Sequence, residues 1–252
     1  MALFVFLPNT ITTHMDDARI AELLTPFLGE SPRRRNHEGS ASASKVAVLT
    51  PSQVRYISMY IDLLVRWNAH INLTAVRKPE EIVTRHFGES IFAARHLFPE
   101  ERSTGIDPSS RPPAPAPHVI DLGSGAGFPG LPIKIWAIRV HLTLIEANQK
   151  KGTFLREAIR SLKLTGADVF SGRAEVFPGP KAALVTLRAV ERFELILPVA
   201  AGMLNSDGRM AILVGEAQVR GIREMLPGLQ WAEPTRLPLS NNRVLIIGSQ
   251  EP

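Results

Sequence analysis

The sequence contains no cysteine, and this absence excludes disulfide bonds, thiolate metal sites and cysteine nucleophiles. Long apolar runs are also missing, since none approaches the roughly 20 residues of a membrane span. The first ten residues, MALFVFLPNT, are apolar, but they lack a basic stretch and a small-residue cleavage site, so we identify no signal peptide there. We therefore expect a cytoplasmic protein with no membrane contact and no metal in its site.

The length and charge of the chain set wider bounds. A chain of 252 residues is long enough for one large domain, or for a domain with a helical appendage. Its formal net charge of +5 suits a polyanionic partner such as RNA. A basic enzyme with a small substrate has the same charge balance, so charge alone does not decide the function.

The first part of the chain has only helical patterns. Apolar residues recur at helical spacing over residues 15–28, 49–73 and 79–99. Thr50 is a suitable N-cap for the second helix, with Gln53 at the capping-box position. We therefore predict an N-terminal helical cap over residues 15–106, with a mobile polar loop at 29–47. Residues 1–14 precede the first pattern, and we expect them to be disordered or absent from the native product.

The pattern changes after the proline-rich residues 107–117, which predict a stiff connector. Apolar runs typical of strands then alternate with helical patterns, which predicts an α/β domain over residues 118–250. Such alternation is typical of a Rossmann-like, mostly parallel sheet with helices on both faces. The predicted strands are 118–122, 141–145, 167–170, 182–187, 209–214 and 243–248.

The stretch HVIDLGSGAGFPG, residues 118–130, contains two overlapping glycine patterns. Gly125, Gly127 and Gly130 give the pattern of a dinucleotide-binding loop. An alternative begins at Asp121, an acid at the end of a strand, and continues through Gly123, Gly125 and Gly127; this pattern suits S-adenosylmethionine. Either loop lies at the carboxyl end of the first strand, where open α/β sheets bind ligands.

Two residues favour S-adenosylmethionine. The carboxylate of Asp121 would repel a pyrophosphate, whereas it suits the ammonium and sulfonium groups of S-adenosylmethionine. Pro129 lacks the N–H that a phosphate would need. Glu146, at the end of the second strand, suits the ribose hydroxyls of either cofactor. Ala174 and Glu175, in the loop after the third strand, are placed to cover an adenine.

Several segments together resemble the GidB family, also called RsmG, of bacterial methyltransferases that modify guanine N7 in 16S ribosomal RNA. They are WNAHINLTAVRKPEEIVTRHFGESI (67–91), VIDLGSGAGFPGLPIKIW (119–136), LIEANQKKGTFLREAIRSLKL (144–164), GRAEVF (172–177) and TLRAV (186–190). The resemblance implies a class I S-adenosylmethionine-dependent methyltransferase fold, with a seven-stranded sheet, an antiparallel last strand and a helical N-terminal cap. The chain departs from the common family pattern at Glu89, Leu187 and Val214.

The resemblance also assigns residues to the site. It maps one set onto the cofactor pocket: Gly123, Phe128, Glu146, Ala174, Glu175 and Arg188. It maps a second set onto the cap segment facing that pocket: Asn72, Arg85 and His86. We take Arg188, His86 and Asn72 as the candidate catalytic residues, and Arg85, Lys150 and Lys151 as candidate RNA contacts.

The implied reaction agrees with the absence of a nucleophile–base pair in the sequence. Guanine N7 has a free lone pair and needs no deprotonation, so catalysis depends on positioning and on charge stabilisation. The expected partner is 16S ribosomal RNA or the small ribosomal subunit, and we expect a monomer. Two alternatives remain open: an NAD-dependent oxidoreductase that uses the 125–130 glycine pattern, and a non-catalytic RNA-binding module.

Overall fold

The structure, a computed structural model, describes residues 15–29, 47–99, 115–190 and 193–250. Most of the loop predicted at 29–47 and of the connector predicted at 107–117 lies outside these ranges, as do residues 1–14. No helix within the described ranges is both long enough and apolar enough to cross a membrane.

Helices occupy the N-terminal part and then alternate with strands. A π-helix, Ile82–Gly88, joins two of the α-helices into one continuous helical segment. The α-helices are α1 (Asp17–Leu28), α2 (Pro51–Asn68), α3 (Pro79–Glu81), α4 (Glu89–Leu97), α5 (Gly130–Trp136), α6 (Gln149–Ser161), α7 (Phe193–Gly202) and α8 (Val219–Met225). The strands are β1 (His118–Leu122), β2 (His141–Glu146), β3 (Ala167–Ser171), β4 (Ala182–Arg188), β5 (Leu204–Gly215), β6 (Leu229–Trp231), β7 (Thr235–Arg236) and β8 (Arg243–Gln250).

The strands form one mostly parallel sheet. Seven of them follow the order β3-β2-β1-β4-β5-β8-β6, and the two-residue β7 pairs with β8 beside this path. Strands β1 to β5 are parallel, whereas β8 is antiparallel to β5. The predicted Rossmann-like sheet with an antiparallel last strand is confirmed, with the short β7 as an addition. Chain order reverses between β1 and β4, and this is the point where open α/β sheets bind ligands.

Each face of the sheet carries its own apolar core. Val119 of β1 belongs to one core and its neighbour Ile120 to the other, because successive side chains of a strand point to opposite faces. The first core includes Ile57 of α2 and Phe154 of α6, so the N-terminal helices pack on the same face as α6. The second core contains Leu197 of α7. The cap is therefore continuous with the core of the sheet domain.

The second helix is shorter than its sequence pattern predicted. It begins as expected, because the Thr50 side chain accepts from the Gln53 amide and the Gln53 side chain accepts from the Thr50 amide. It ends at Asn68 and not at residue 73. The Asn68 side-chain oxygen accepts from the amides of Leu73 and Thr74, which holds these residues in a loop that an apolar pattern does not reveal.

Candidate cofactor and substrate site

A cavity of about 680 Å³ lies at the carboxyl ends of β1, β2, β3 and β4. Its size is within the roughly 300–1,000 Å³ of small-molecule sites. The glycine loop after β1 forms its floor, and Leu122, Ile145, Val190 and Ile196 supply apolar wall. The cavity therefore lies where the strand order reverses, and the glycine loop is at the carboxyl end of the first strand, as the sequence predicted.

Five amides of the glycine loop are already used within the protein. A pyrophosphate cradle needs several such amides free to donate to phosphate oxygens. Those of Gly123 and Ser124 donate to the Ile145 carbonyl at 2.9 and 3.0 Å, that of Gly125 to Glu146 Oε2 at 2.8 Å, and those of Gly127 and Phe128 to the Ser124 carbonyl at 2.7 and 3.2 Å. This loop suits a ligand that brings no phosphate, which weighs against the dinucleotide interpretation.

Glu146 ends β2 at the edge of the cavity. Its Oε2 accepts from the Gly125 amide at 2.8 Å, and its Oε1 accepts from the Asn148 amide at 2.7 Å. Gly125 has φ +58°, a conformation that glycine adopts without strain. Each carboxylate oxygen can accept more than one hydrogen bond, so the fixed carboxylate remains able to bind two ribose hydroxyls.

The remaining contact segments surround the same cavity. Ala174 and Glu175 lie in a single 3-10 turn after β3 and line it, and Lys151 of α6 lines it as well. Phe128 closes the side nearest the cap, where its ring lies 4.9 Å from that of His86. The apolar walls, the carboxylate at a strand end and the five loop amides bonded within the protein together fit an adenosine-containing cofactor such as S-adenosylmethionine.

Arg188 ends β4 and reaches the cavity from the sheet, held by groups of the cap. Its Nη2 donates to Glu89 Oε2 at 2.9 Å and to the Arg85 carbonyl at 2.7 Å. Its Nε has no hydrogen-bond partner. Glu89 also forms an ion pair with Arg243 of β8 at 3.1 Å. One buried carboxylate of α4 thus holds two arginines from two strands.

His86 is neutral in this arrangement, and its proton position follows from its neighbours. Arg188 Nη1 lies 3.1 Å from His86 Nδ1, and an arginine can only donate, so Nδ1 accepts. The proton is then on Nε2, which lies 2.7 Å from Thr74 Oγ1. Burial and the charges of Arg188, Arg85 and Arg243 lower the pKa of His86 to about 3. His86 therefore positions Arg188 and does not serve as an ionised acid near neutral pH.

Asp121 lies beneath the glycine loop and does not line the cavity. Its side chain is completely buried, and its Oδ1 accepts from Thr186 Oγ1 at 2.7 Å. Its Oδ2 has no hydrogen-bond partner of normal geometry. Burial raises the pKa of Asp121 to about 6, although the bond from Thr186 opposes the shift. Asp121 can therefore affect a ligand in the cavity only through the electric field of its carboxylate, because its side chain does not line the cavity.

Tyr60 of α2 joins the cap to the glycine loop. Its hydroxyl donates to the Ala126 carbonyl, and its ring stacks on Phe128 with centroids 5.4 Å apart. The ring also meets the edge of Phe87 at 5.1 Å. Gly127 lies so close to Tyr60 that a Cβ atom on residue 127 would overlap the Tyr60 hydroxyl and the Leu131 side chain. The loop can approach the cap this closely only because residue 127 is glycine.

The structure brings together most, though not all, of the predicted site residues. Those lining the cavity are His86, Gly123, Gly125, Phe128, Glu146, Lys151, Ala174, Glu175 and Arg188. Asp121 and Gly127 do not line the cavity; Asp121 lies beneath the loop, and Gly127 is the loop residue that contacts the cap. Asn72 is exposed and does not line the cavity. Its side-chain oxygen accepts a hydrogen bond from Arg77, with 3.4 Å between the two atoms. Lys150 is exposed on α6, and Arg85 lines a second cavity.

Sequence reasoning missed four residues of this site. Glu89 stood out only as a departure from the family pattern, although it binds two arginines. Thr74 lies two residues after Asn72 in the same NLT segment, and it is Thr74 that contacts His86. No local signal indicated Tyr60 or Arg243, because their partners lie far away in the chain.

Two sequence comparisons with known proteins point to the same family. The sequence profile of GidB, described as rRNA small subunit methyltransferase G, matches residues 53–230. The ribosomal RNA small subunit methyltransferase G of Stenotrophomonas maltophilia (strain K279a) is 35% identical over 201 residues, which cover 79% of this chain and 85% of that protein. The protein of the same name from Bacillus subtilis (strain 168) is 32% identical over 179 residues, 69% of each chain. The crystal structure of P. horikoshii TYW2 in complex with MeSAdo aligns with a TM-score of 0.47 and 18% identity, over 54% of this chain and 58% of that one.

Proposed function

The chain belongs to the GidB family, described as rRNA small subunit methyltransferase G, and from that membership we propose that it methylates N7 of a guanine in 16S ribosomal RNA. S-adenosylmethionine is the cofactor, and when bound it supplies an electrophilic methyl group on a positively charged sulfur. The observation that carries the proposal is the Glu146 carboxylate, fixed by two backbone amides at the edge of a cavity in whose glycine loop five amides are already bonded.

The residues of this chain bind and orient the reactants. Methyl transfer to N7 would exchange one S–C bond for one N–C bond, with the positive charge moving from sulfur to the purine and no proton released. A general base is therefore unnecessary, in agreement with a neutral His86 whose Nδ1 accepts from Arg188. Glu146 would hold the ribose, and Ala174 with Glu175 would border the adenine.

Arg188 is the cation that this proposal assigns to the reactants. Glu89, His86 and the Arg85 carbonyl fix its guanidinium, so it meets a ligand without having to reorganise. A fixed guanidinium suits either the carboxylate of the cofactor or an oxygen of the RNA. Lys150 and Lys151 at the start of α6, together with the net charge of +5, favour contacts with RNA phosphates.

The test measures methyl transfer from labelled S-adenosylmethionine to small-subunit RNA, offered as naked RNA and as assembled subunits. We expect N7-methylguanine at one position with the wild-type protein and none with Glu146→Ala. Binding of the RNA without any methyl transfer would support the non-catalytic RNA-binding alternative. Calorimetric binding of NAD, with none of S-adenosylmethionine, would support the oxidoreductase alternative.

Two expectations belong to the same proposal. The protein is proposed to act as a monomer in the cytoplasm, where ribosomal RNA is available. Sedimentation of the purified protein at micromolar concentration should give the mass of one chain, and a stable dimer would contradict this part alone.

A further inference from the structure

A second cavity of about 360 Å³ lies beside the cofactor cavity at the same edge of the sheet. It is bordered by the carboxyl ends of β4 and β5 and by the start of β8. Ala189 and Val190 line both cavities, so the two cavities adjoin at these residues. A ligand in the second cavity would be an immediate neighbour of a ligand in the first.

The second cavity is lined by apolar, amide and cationic side chains. Val190 and Phe193 provide apolar wall, Gln218 and Asn242 bring side-chain amides, and Arg85 and Arg243 bring positive charge. None of the described residues lining it is acidic. Such a composition suits a flat heteroaromatic ring with hydrogen-bond acceptors on its edge.

Arg243 is the best-positioned donor of this cavity. One guanidinium nitrogen is 3.1 Å from Glu89 Oε2, and the side chain is 23% exposed, so the group is anchored from behind and still reaches the cavity. Glu89 is only 5% exposed and holds Arg188 in the same way, 2.9 Å from its Nη2. The same carboxylate therefore orients one arginine toward each cavity.

We propose that the second cavity receives the acceptor guanine and that Arg243 selects it by donating to O6, with Glu89 as the positioning residue for Arg243. The proposal rests on the proposed function. Guanine presents two acceptors, N7 and O6, on its major-groove edge, whereas adenine has an amino donor where guanine has O6. Because N7 has to stay free for the methyl group, the arginine contacts O6 alone. With adenine, the amino group would face the guanidinium, and since both groups can only donate, no hydrogen bond would form between them.

The experiment combines a change in the protein with a change in the base. The methylated guanine is first mapped in RNA treated with the wild-type protein, and it is then replaced by inosine or by 2,6-diaminopurine in splint-ligated RNA. Inosine keeps O6 and N7, whereas 2,6-diaminopurine keeps N7 and carries an amino donor in place of O6. Arg243→Met removes the donor, and Arg220→Met, on the exposed face of α8, is the matched control for the loss of charge.

With the wild-type protein we expect kcat/KM to be nearly the same for guanine and inosine, and roughly 10- to 100-fold lower for 2,6-diaminopurine. Arg243→Met should lower kcat/KM for guanine by a similar factor and should no longer distinguish guanine from 2,6-diaminopurine. Arg220→Met should behave as the wild type, and all three proteins should bind S-adenosylmethionine equally.

Glu89→Gln tests the positioning role. It should raise KM for the RNA and weaken the discrimination against 2,6-diaminopurine, which a purely structural role would leave intact.

Three results would overturn the inference. One is wild-type activity on 2,6-diaminopurine equal to that on guanine, a measurement that requires no variant. Another is an Arg243→Met protein that loses the same factor on both bases, since Arg243 would then not contact O6. The third is unchanged discrimination in Glu89→Gln, which would remove its positioning role. If the wild-type protein methylates no RNA at all, the proposed function itself fails, and that result is distinct from these three.

Discussion

The pKa of Asp121 leads to a prediction about how stability depends on pH. Burial raises this pKa from 3.8 to about 6, so the folded protein retains a proton that the unfolded chain releases. The stability associated with the protonated carboxyl is fully present below pH 3.8 and is lost as the pH rises through about 6. Relative to its value at low pH, the contribution of Asp121 to the free energy of unfolding should therefore fall by about 1 kcal/mol at pH 4.5 and by about 3 kcal/mol at pH 8.

Asp121→Asn isolates this effect because asparagine does not ionise. Its amide group would place an N–H where Oδ2 now lacks a partner, at a cost of about 1–3 kcal/mol that does not depend on pH. The stability of the variant relative to the wild type should thus increase by about 2 kcal/mol between pH 4.5 and pH 8, whatever the constant cost. Urea unfolding of both proteins across this range measures the difference.

The exposed Asp168 of β3 provides the matched control, since Asp168→Asn makes the same chemical change at the surface of the same sheet. A stability difference between Asp121→Asn and the wild type that stays constant from pH 4.5 to pH 8 would refute the reasoning.

Cofactor affinity gives a second measurement on the same variant. Asp121 does not line the cavity, so a loss of S-adenosylmethionine affinity in Asp121→Asn has to act through the field of the carboxylate. It should appear at pH 8 and vanish at pH 5, where the wild-type carboxyl is mostly protonated.

Three further variants test the cavity and its support. Glu146→Ala should weaken S-adenosylmethionine binding by roughly 1.5–3 kcal/mol for each ribose hydrogen bond lost, and wild-type affinity in calorimetry would contradict that role. Tyr60→Phe keeps the stacking on Phe128 but leaves the Ala126 carbonyl without its donor, so the free energy of unfolding should fall by about 1–3 kcal/mol; unchanged stability in urea would show that this bond contributes nothing. Since the pKa of His86 is about 3, activity profiles of the wild type and His86→Gln should be parallel between pH 6 and 8, and an ionisation near pH 6.5 that disappears in the variant would be contrary to a neutral His86.

The features predicted correctly from the sequence have local causes. A buried parallel strand needs a run of apolar residues, so β1, β2 and β4 could be located within about one residue. The Thr50 cap depends on residues three positions apart. Glu146 could be placed at the ligand edge because an acid at the end of a parallel strand meets the carboxyl ends of its neighbours.

The features that were missed depend on contacts between distant parts of the chain. Arg188 and Glu89 are 99 residues apart, and no pattern in either segment predicts that they pair. The strands β6 and β7 have three and two residues, too few for any periodicity. Asp121 lies at the correct strand end, but strand alternation alone did not reveal that its side chain points beneath the loop and away from the ligand.

The ion pairs of Glu89 indicate why the N-terminal helices are part of the site and more than an appendage. Arg188 and Arg243 come from the sheet, and both depend on a carboxylate that α4 supplies. Burial lowers the pKa of Arg188, so its charge has a desolvation cost that Glu89 offsets. Removing one partner of a buried pair typically costs about 3–5 kcal/mol, because the remaining charge stays buried and uncompensated. A sheet domain without the cap would leave two such arginines beside the cavities, and Tyr60 would no longer hold the glycine loop. The cap and the sheet therefore have to fold together before either cavity has the charges and the shape described above.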